Sequence, residues 1–174
     1  NAVDRHLATR ADQAALVAIS TETDTETTYT YAQLHAEVNR SAAMMQALGV
    51  RQGDRVLIYM PMVAEAAFAM LACARIGAIH SVVFGGFAST SLATRIDDAT
   101  PVLIISADAG SRGCHVTPYK CLLDEAIALA EHKPAHVLML DRGLAPMKTV
   151  AGRDVDYATL RRQHMDATVP GVWL

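Results

Sequence analysis

Aromatic residues are scarce: one Trp, five Tyr and three Phe make up 5% of the 174 residues. Few platforms are therefore available on which exposed bases could stack. A basic excess is missing too, since 15 Lys and Arg stand against 18 Asp and Glu for a net charge of −3, leaving nothing to neutralise a phosphate backbone. These two shortages exclude nucleic acid as a partner. No apolar run approaches the roughly 18 residues of a membrane span, because Glu65 and Arg75 interrupt the richest segment. Asn1 to Arg10 carry charges and lack the apolar core of a signal peptide. Cysteine is rare and odd in number, three in all, which fits a reducing compartment, the cytoplasm, and no disulfide framework. Cys114, His115 and Cys121 lie close together, yet no second pair at ligand spacing completes the four ligands of a structural zinc, so no metal ligand is assigned. Neither a Walker loop nor a G-x-G-x-x-G run occurs. No catalytic triad can be assembled from spacing.

What is present is 52% hydrophobic residues, enough for one sizeable core, and a regular alternation of short apolar runs with helical patterns. Ala15 to Ile19 and Thr27 to Thr30 read as strands around the polar tract Ser20 to Thr28, an exposed hairpin loop. Tyr31 to Leu48 has helical spacing and stops at Gly49. Arg55 to Met60 is then a strand, Glu65 to Ile76 a helix, Ile79 to Phe84 a strand, Ser89 to Asp98 a helix, Val102 to Ser106 a strand, Pro118 to Glu131 a helix and His136 to Leu140 a strand. Asp156 to His164 predicts one more helix. Strands separated by helices of this length predict a mainly parallel, doubly wound α/β sheet with helices on both faces, in a single domain spanning 1–174. The β-branched run Ile79 to Phe84 predicts an interior strand covered on both faces, as does Val102 to Ser106. Cys73, Met44, Met45, Met60 and Met62 read as core filler. The apolar ending Val172-Trp173-Leu174 carries the expectation of further polypeptide.

Two loops at predicted strand ends could carry chemistry. Phe84-Gly85-Gly86-Phe87-Ala88-Ser89 places two glycines and a hydroxyl before a helix, where bare backbone approaches a ligand and amides favour an anion; equally, Ser89 caps the helix and the glycines turn the chain. Ser106 to His115 is a small-residue loop in which Arg112, flanked by Ser111 and Gly113, could fork onto a phosphate, with His115 and Lys120 as further donors; equally, it is a solvated loop. Lys120 otherwise reads as the cap of a solvated helix start. Cys114 reads as the exposed thiol, modifiable rather than catalytic. Asp97-Asp98 reads as decoration of a helix end.

Asn1-Ala-Val-Asp-Arg-His-Leu7, Thr28-Tyr-Thr-Tyr-Ala-Gln-Leu34, Gly53-Asp-Arg-Val56, Pro61-Met62, Leu71-Ala-Cys-Ala-Arg-Ile-Gly-Ala-Ile-His-Ser-Val-Val-Phe-Gly-Gly-Phe87 and Arg95-Ile-Asp-Asp98 together resemble the amino-terminal region of short-chain AMP-forming acyl-CoA synthetases. Ser106 to Gly110, Pro118-Tyr-Lys120, Leu122 to Ile127 and His136 to Gly143 resemble members that act on propionate more than those that act on acetate. The resemblance implies a two-step ligase: propionate attacks ATP, accompanied by Mg2+, to give an acyl-adenylate and pyrophosphate, and the thiol of CoA then takes the acyl group. It implies that Phe84, Gly85 and Gly86, with Arg112, Gly113, Cys114 and His115, border the nucleotide end of CoA. His115 stands where the family has a second Arg, a weaker and pH-dependent grip on phosphate. The family's phosphate-wrapping loop, acyl pocket, acidic adenylate motif and mobile carboxyl-terminal domain with its catalytic Lys have no counterpart here, and Trp173 does not match the pocket Trp. The chain is thus expected to be one part of a larger ligase, completed by the rest of the same polypeptide, and inactive alone.

Overall fold

A computed structural model describes residues 2–113 and 115–173. A 3-10 turn, Asp4–His6, runs into a short helix α1 (Leu7–Arg10), which the charged opening sequence does not announce. An antiparallel hairpin follows, β1 (Ala14–Ser20) and β2 (Thr25–Thr30). Helix α2 (Tyr31–Ala47) starts with a reciprocal cap: Thr30 Oγ1 accepts from the Gln33 amide at 3.2 Å, and Gln33 Oε1 accepts from the Thr30 amide at 2.9 Å. The alternating part comprises β3 (Arg55–Tyr59), α3 (Ala64–Ile76), β4 (Ile79–Val82), α4 (Ser89–Ala99) and β5 (Leu103–Ala107). It continues with a small hairpin, β6 (Gly110–Arg112) and β7 (His115–Thr117), then α5 (Tyr119–Leu129), β8 (His136–Leu140), β9 (Asp154–Asp156) and α6 (Tyr157–Gln163).

The main sheet runs β4-β3-β5-β8-β9 and every pairing in it is parallel, the doubly wound layer expected. Period-two alternation divides the core. Val56 and Ile58 point to one face, where Met45, Ala72, Cys73 and Leu160 cover them. Leu57 and Tyr59 point to the other, under Leu92 and Ile96 of α4 and Leu123 and Ile127 of α5. Gly77, left-handed at φ 71°, ends α3 so that the chain can turn into β4. Cys73, Met44, Met45 and Met60 are buried as read, and Cys73 Sγ donates to Met45 Sδ at 3.8 Å. Met62 is not core: it is 97% exposed. Among the described residues no helix is long and apolar enough to cross a membrane.

The interior position read for Ile79–Phe84 is corrected. Among the described residues β4 pairs with β3 alone, at the edge of the sheet, and Ile79 and Val82 are each 56% exposed. The strand also ends at Val82, before Phe84. A β-branched run reports strand geometry, and it does not report how many neighbours flank the strand. Val102–Ser106 does correspond to the interior strand β5, flanked by β3 and β8 and wholly buried. Amide exchange should therefore be slowest in β5, near the rate set by global unfolding, and faster in β4, whose outward amides lack a partner strand. Equal protection of 79–82 and 103–107, read by mass spectrometry, would contradict the edge placement.

Lys120 also needs correction, since it is not a solvated cap. It is 2% exposed, ion-paired to Asp124 one turn on and, at 3.0 Å, to Asp154 in β9. Asp154 receives Arg153 Nε at 2.7 Å and the Val150 amide at 2.8 Å, and Arg153 Nη2 reaches Asp124 at 2.5 Å. A polar residue at a helix start looks solvated in sequence, but here one of its partners, Asp154, comes from a strand 34 residues downstream. Asp97 does more than decorate α4, for its carboxylate accepts from the His132 amide at 2.8 Å and ties α4 to the loop after α5.

Candidate functional site

The chain leaves β3 toward α3 on one face of the sheet and leaves β5 toward α5 on the other. Parallel sheets open a crevice where neighbouring strands send their connections to opposite faces, beyond the carboxyl ends of the strands. A cleft of about 570 Å³ lies there. Its walls are Met60, Pro61 and Met62 after β3, Val83 to Gly86 after β4, Gly110, Ser111 and Thr117 of the β6–β7 hairpin, and Tyr119 at the start of α5. The tip of the first hairpin, Ser20 to Glu22, closes one side.

Glu22 holds the two hairpins together. Its Oε1 accepts from the Ser111 amide at 2.7 Å, and its Oε2 pairs with Arg142, whose Nη1 donates to the Ala109 carbonyl at 3.2 Å. Glu22 is the charged side chain among the lining residues, and Arg142 neutralises it. Among the described residues, the lining is thus mostly apolar and includes no cationic side chain.

The glycines of the turn after β4 are also demanded by the protein's own packing. Neither Gly85 nor Gly86 has a positive φ. A Cβ on Gly85 would stand 2.5 Å from Tyr119 Cζ and nearer still to its hydroxyl, and one on Gly86 would stand 2.9 Å from Phe84 Cε1. Gly85 is bare because an aromatic ring fills its place. Ser89 does not cap α4. The cap residue is Ala88, and the Ser89 hydroxyl donates to Glu125 Oε2 of α5 at 2.6 Å. A carboxylate already stands at the first turn of α4, which argues against an anion site there.

Ser106 to His115, read as a loop, instead begins in β5 and runs into the β6–β7 hairpin, with 111 paired to 116 and 112 to 115. Gly113 at φ 62° opens its two-residue turn, and Ser111 Oγ donates to the Gly113 carbonyl at 3.1 Å. A glycine first in a two-residue connection is the sequence mark of such a turn and could have revealed it. His115 is exposed and its backbone lies opposite Arg112. The Arg112 side chain and all of Cys114 lie outside the described residues, so the exposed thiol read at Cys114 does too. Phe84, Gly85 and Gly86 thus reach the cleft, Gly113 and His115 sit on the hairpin beside it, and Tyr119 is the wall residue that spacing did not single out.

Tyr59 and Tyr119 stack beneath the cleft with ring centroids 4.8 Å apart and planes 30° from parallel. Burial pushes the Tyr59 phenol up to about 12, with the neighbouring Tyr119 adding to the shift. Tyr119 is also raised, by burial first and then by the charge of Glu22, against the opposing charge of Arg142. Both phenols are neutral at physiological pH.

The family profile described as AMP-binding enzyme matches residues 3–168. Propionate–CoA ligase of Escherichia coli (strain K12) is 63% identical over all 174 residues, which make up 28% of that protein. Acetyl-coenzyme A synthetase of Xanthobacter autotrophicus is 48% identical over 157 residues, 90% of this chain and 24% of that one. In three dimensions, acetoacetyl-CoA synthetase from Streptomyces lividans superposes with a TM-score of 0.84 at 28% identity, over 99% of this chain and 26% of its own.

Proposed function

The chain belongs to the AMP-binding enzyme family, and on that footing we propose that it is the amino-terminal part of a cytoplasmic AMP-forming short-chain acyl-CoA synthetase that activates propionate. The observation that carries the reading is the 63% identity to propionate–CoA ligase along the whole chain, against 48% to an acetyl-coenzyme A synthetase over 157 residues. In the reaction, a propionate oxygen attacks the α-phosphorus of ATP, supplied as its magnesium complex, and pyrophosphate leaves. The CoA thiol then attacks the carbonyl of the propionyl-adenylate, forms the thioester and expels AMP.

The part of this played by residues 1–174 is to border CoA. The apolar cleft at the switch point offers shape, and the β6–β7 hairpin at its rim offers charge through Arg112, with His115 the weaker second donor. Gly113, with its positive φ, opens the turn of the hairpin, and Cys114 is assigned with it to the border of CoA. Adenylate chemistry falls to the rest of the polypeptide, so the 174-residue chain alone carries out neither half-reaction. The full-length protein, assayed for carboxylate-dependent ATP–pyrophosphate exchange, should favour propionate over acetate in kcat/KM by about tenfold or more, since one extra methylene in an apolar pocket contributes about 1–3 kcal/mol. Equal or greater use of acetate would overturn the propionate assignment.

A further inference from the structure

Three connections from three different strands converge on one ring. Tyr119, 6% exposed, is the first residue of α5 and stacks on Tyr59 at the end of β3. Its hydroxyl end lies between two glycine backbones, Gly85 after β4 and Gly110 in the hairpin after β5. A Cβ on Gly110 would stand 2.5 Å from Tyr119 Oη, 2.6 Å from Cζ and 3.2 Å from Pro61 Cβ. The base of the ring is fixed as well, because the next amide, Lys120 N, donates to the Asp108 carbonyl at 3.2 Å, and Asp108 Oδ2 accepts from Leu144 and Ala145 at 2.6 and 3.1 Å.

We propose that Tyr119 is the positioning residue of the CoA site: its ring, wedged between Gly85 and Gly110, sets the gap between the Phe84–Gly86 turn and the Arg112-bearing hairpin. The inference rests on the assignment of this cleft to CoA given above. Close packing makes the gap rigid, because both contacts are with backbone, which cannot rotate away as a side chain would. The ring needs its six carbons for this and not its ionisation, which stays out of reach at physiological pH. A smaller residue lets the two walls approach, and a methyl on Gly85 drives them apart. Either change displaces the groups that meet CoA, and misplacements of about 1 Å cost up to about a hundredfold in comparable sites.

The test uses the full-length protein with two assays, CoA-dependent thioester formation and propionate-dependent ATP–pyrophosphate exchange. Tyr119→Leu and Gly85→Ala should each raise the KM for CoA by about tenfold, with a much smaller change in exchange. Tyr119→Phe, which keeps the ring, should stay within about threefold of the parent. The Gly85→Ala, Tyr119→Leu pair removes the clash and should lie closer to the parent than Gly85→Ala alone, whereas Gly85→Ala with Tyr119→Phe should not, since Cζ remains in the way. Should Tyr119→Leu fail to fold, Gly85→Ala decides by the same readout. An unchanged KM in both variants, while Arg112→Ala raises it, would overturn the role of Tyr119 and leave the CoA site standing. An unchanged KM in all three would remove the CoA reading of the cleft and the proposal with it. Equal losses in both assays would show the ring to be a general prop, which also overturns the proposal.

Discussion

Lys120→Ala is expected to destabilise this domain by about 3–5 kcal/mol, the range for removing one partner of a buried ion pair. The Asp154 side chain is fully buried, and the Lys120 ammonium is one of the groups that neutralise it. Arg153 remains on Asp154 Oδ1 after the substitution, so the loss should fall toward the lower figure. The pH dependence separates charge from packing. Burial pulls the Asp154 pKa upward, but Arg153, the Val150 amide and Lys120 outweigh it and hold the carboxyl below its usual value. A depressed folded pKa stabilises the protein above the unfolded value of about 3.9, and that stability is lost as pH falls through the folded pKa. The gap between parent and Lys120→Ala should therefore be widest near neutral pH and narrow on acidification below about 4. Urea unfolding of the domain at several pH values reads this directly. A gap that does not change with pH would assign the loss to the three buried methylenes that alanine lacks.

Arg112→Ala should raise the KM for CoA about ten- to a hundredfold in the full-length protein, the equivalent of about 1.5–3 kcal/mol for a lost charge-assisted contact. Among the described lining residues of the cleft beside the hairpin, Glu22 is the charged one and is already paired with Arg142, so none of them offers a cation to take over a phosphate. His115, the register partner of Arg112, has no planar fork of donors with which to replace a guanidinium on phosphate. Propionate-dependent ATP–pyrophosphate exchange should change little if, as proposed, adenylate formation falls to the rest of the polypeptide. Equal losses in the two assays would make Arg112 a structural residue of the hairpin.

The parallel sheet and its helices were legible because β3, β5 and β8 are short apolar runs, the longer helices between them show helical spacing, and Gly49 and Gly77 punctuate them. The neighbours of each strand were not. Ile79 to Phe84 has the composition of a central strand and lies at an edge, since its composition says nothing of what flanks it. Strand β9, three residues long, is too short to show a period, and without it the partner of Lys120 was invisible. The candidate site was half legible. Phe84, Gly85 and Gly86 do line the cleft, and Arg112 does lie on the hairpin at its rim, but the reason for the bare backbone at Gly85 was hidden. A glycine in sequence marks a place where a side chain is excluded, and only the fold tells what excludes it. Here it is a ring 34 residues away.

That packing also orders the history open to this sequence. Gly85, Gly110 and Tyr119 lie in three separate stretches of chain, yet each glycine can acquire a side chain only after the ring has become smaller. Drift at the glycines must wait for drift at the tyrosine, whereas a phenylalanine can come and go at 119 without consequence for either. In a collection of relatives, larger residues at 85 or 110 should accordingly occur on backgrounds where 119 is not aromatic.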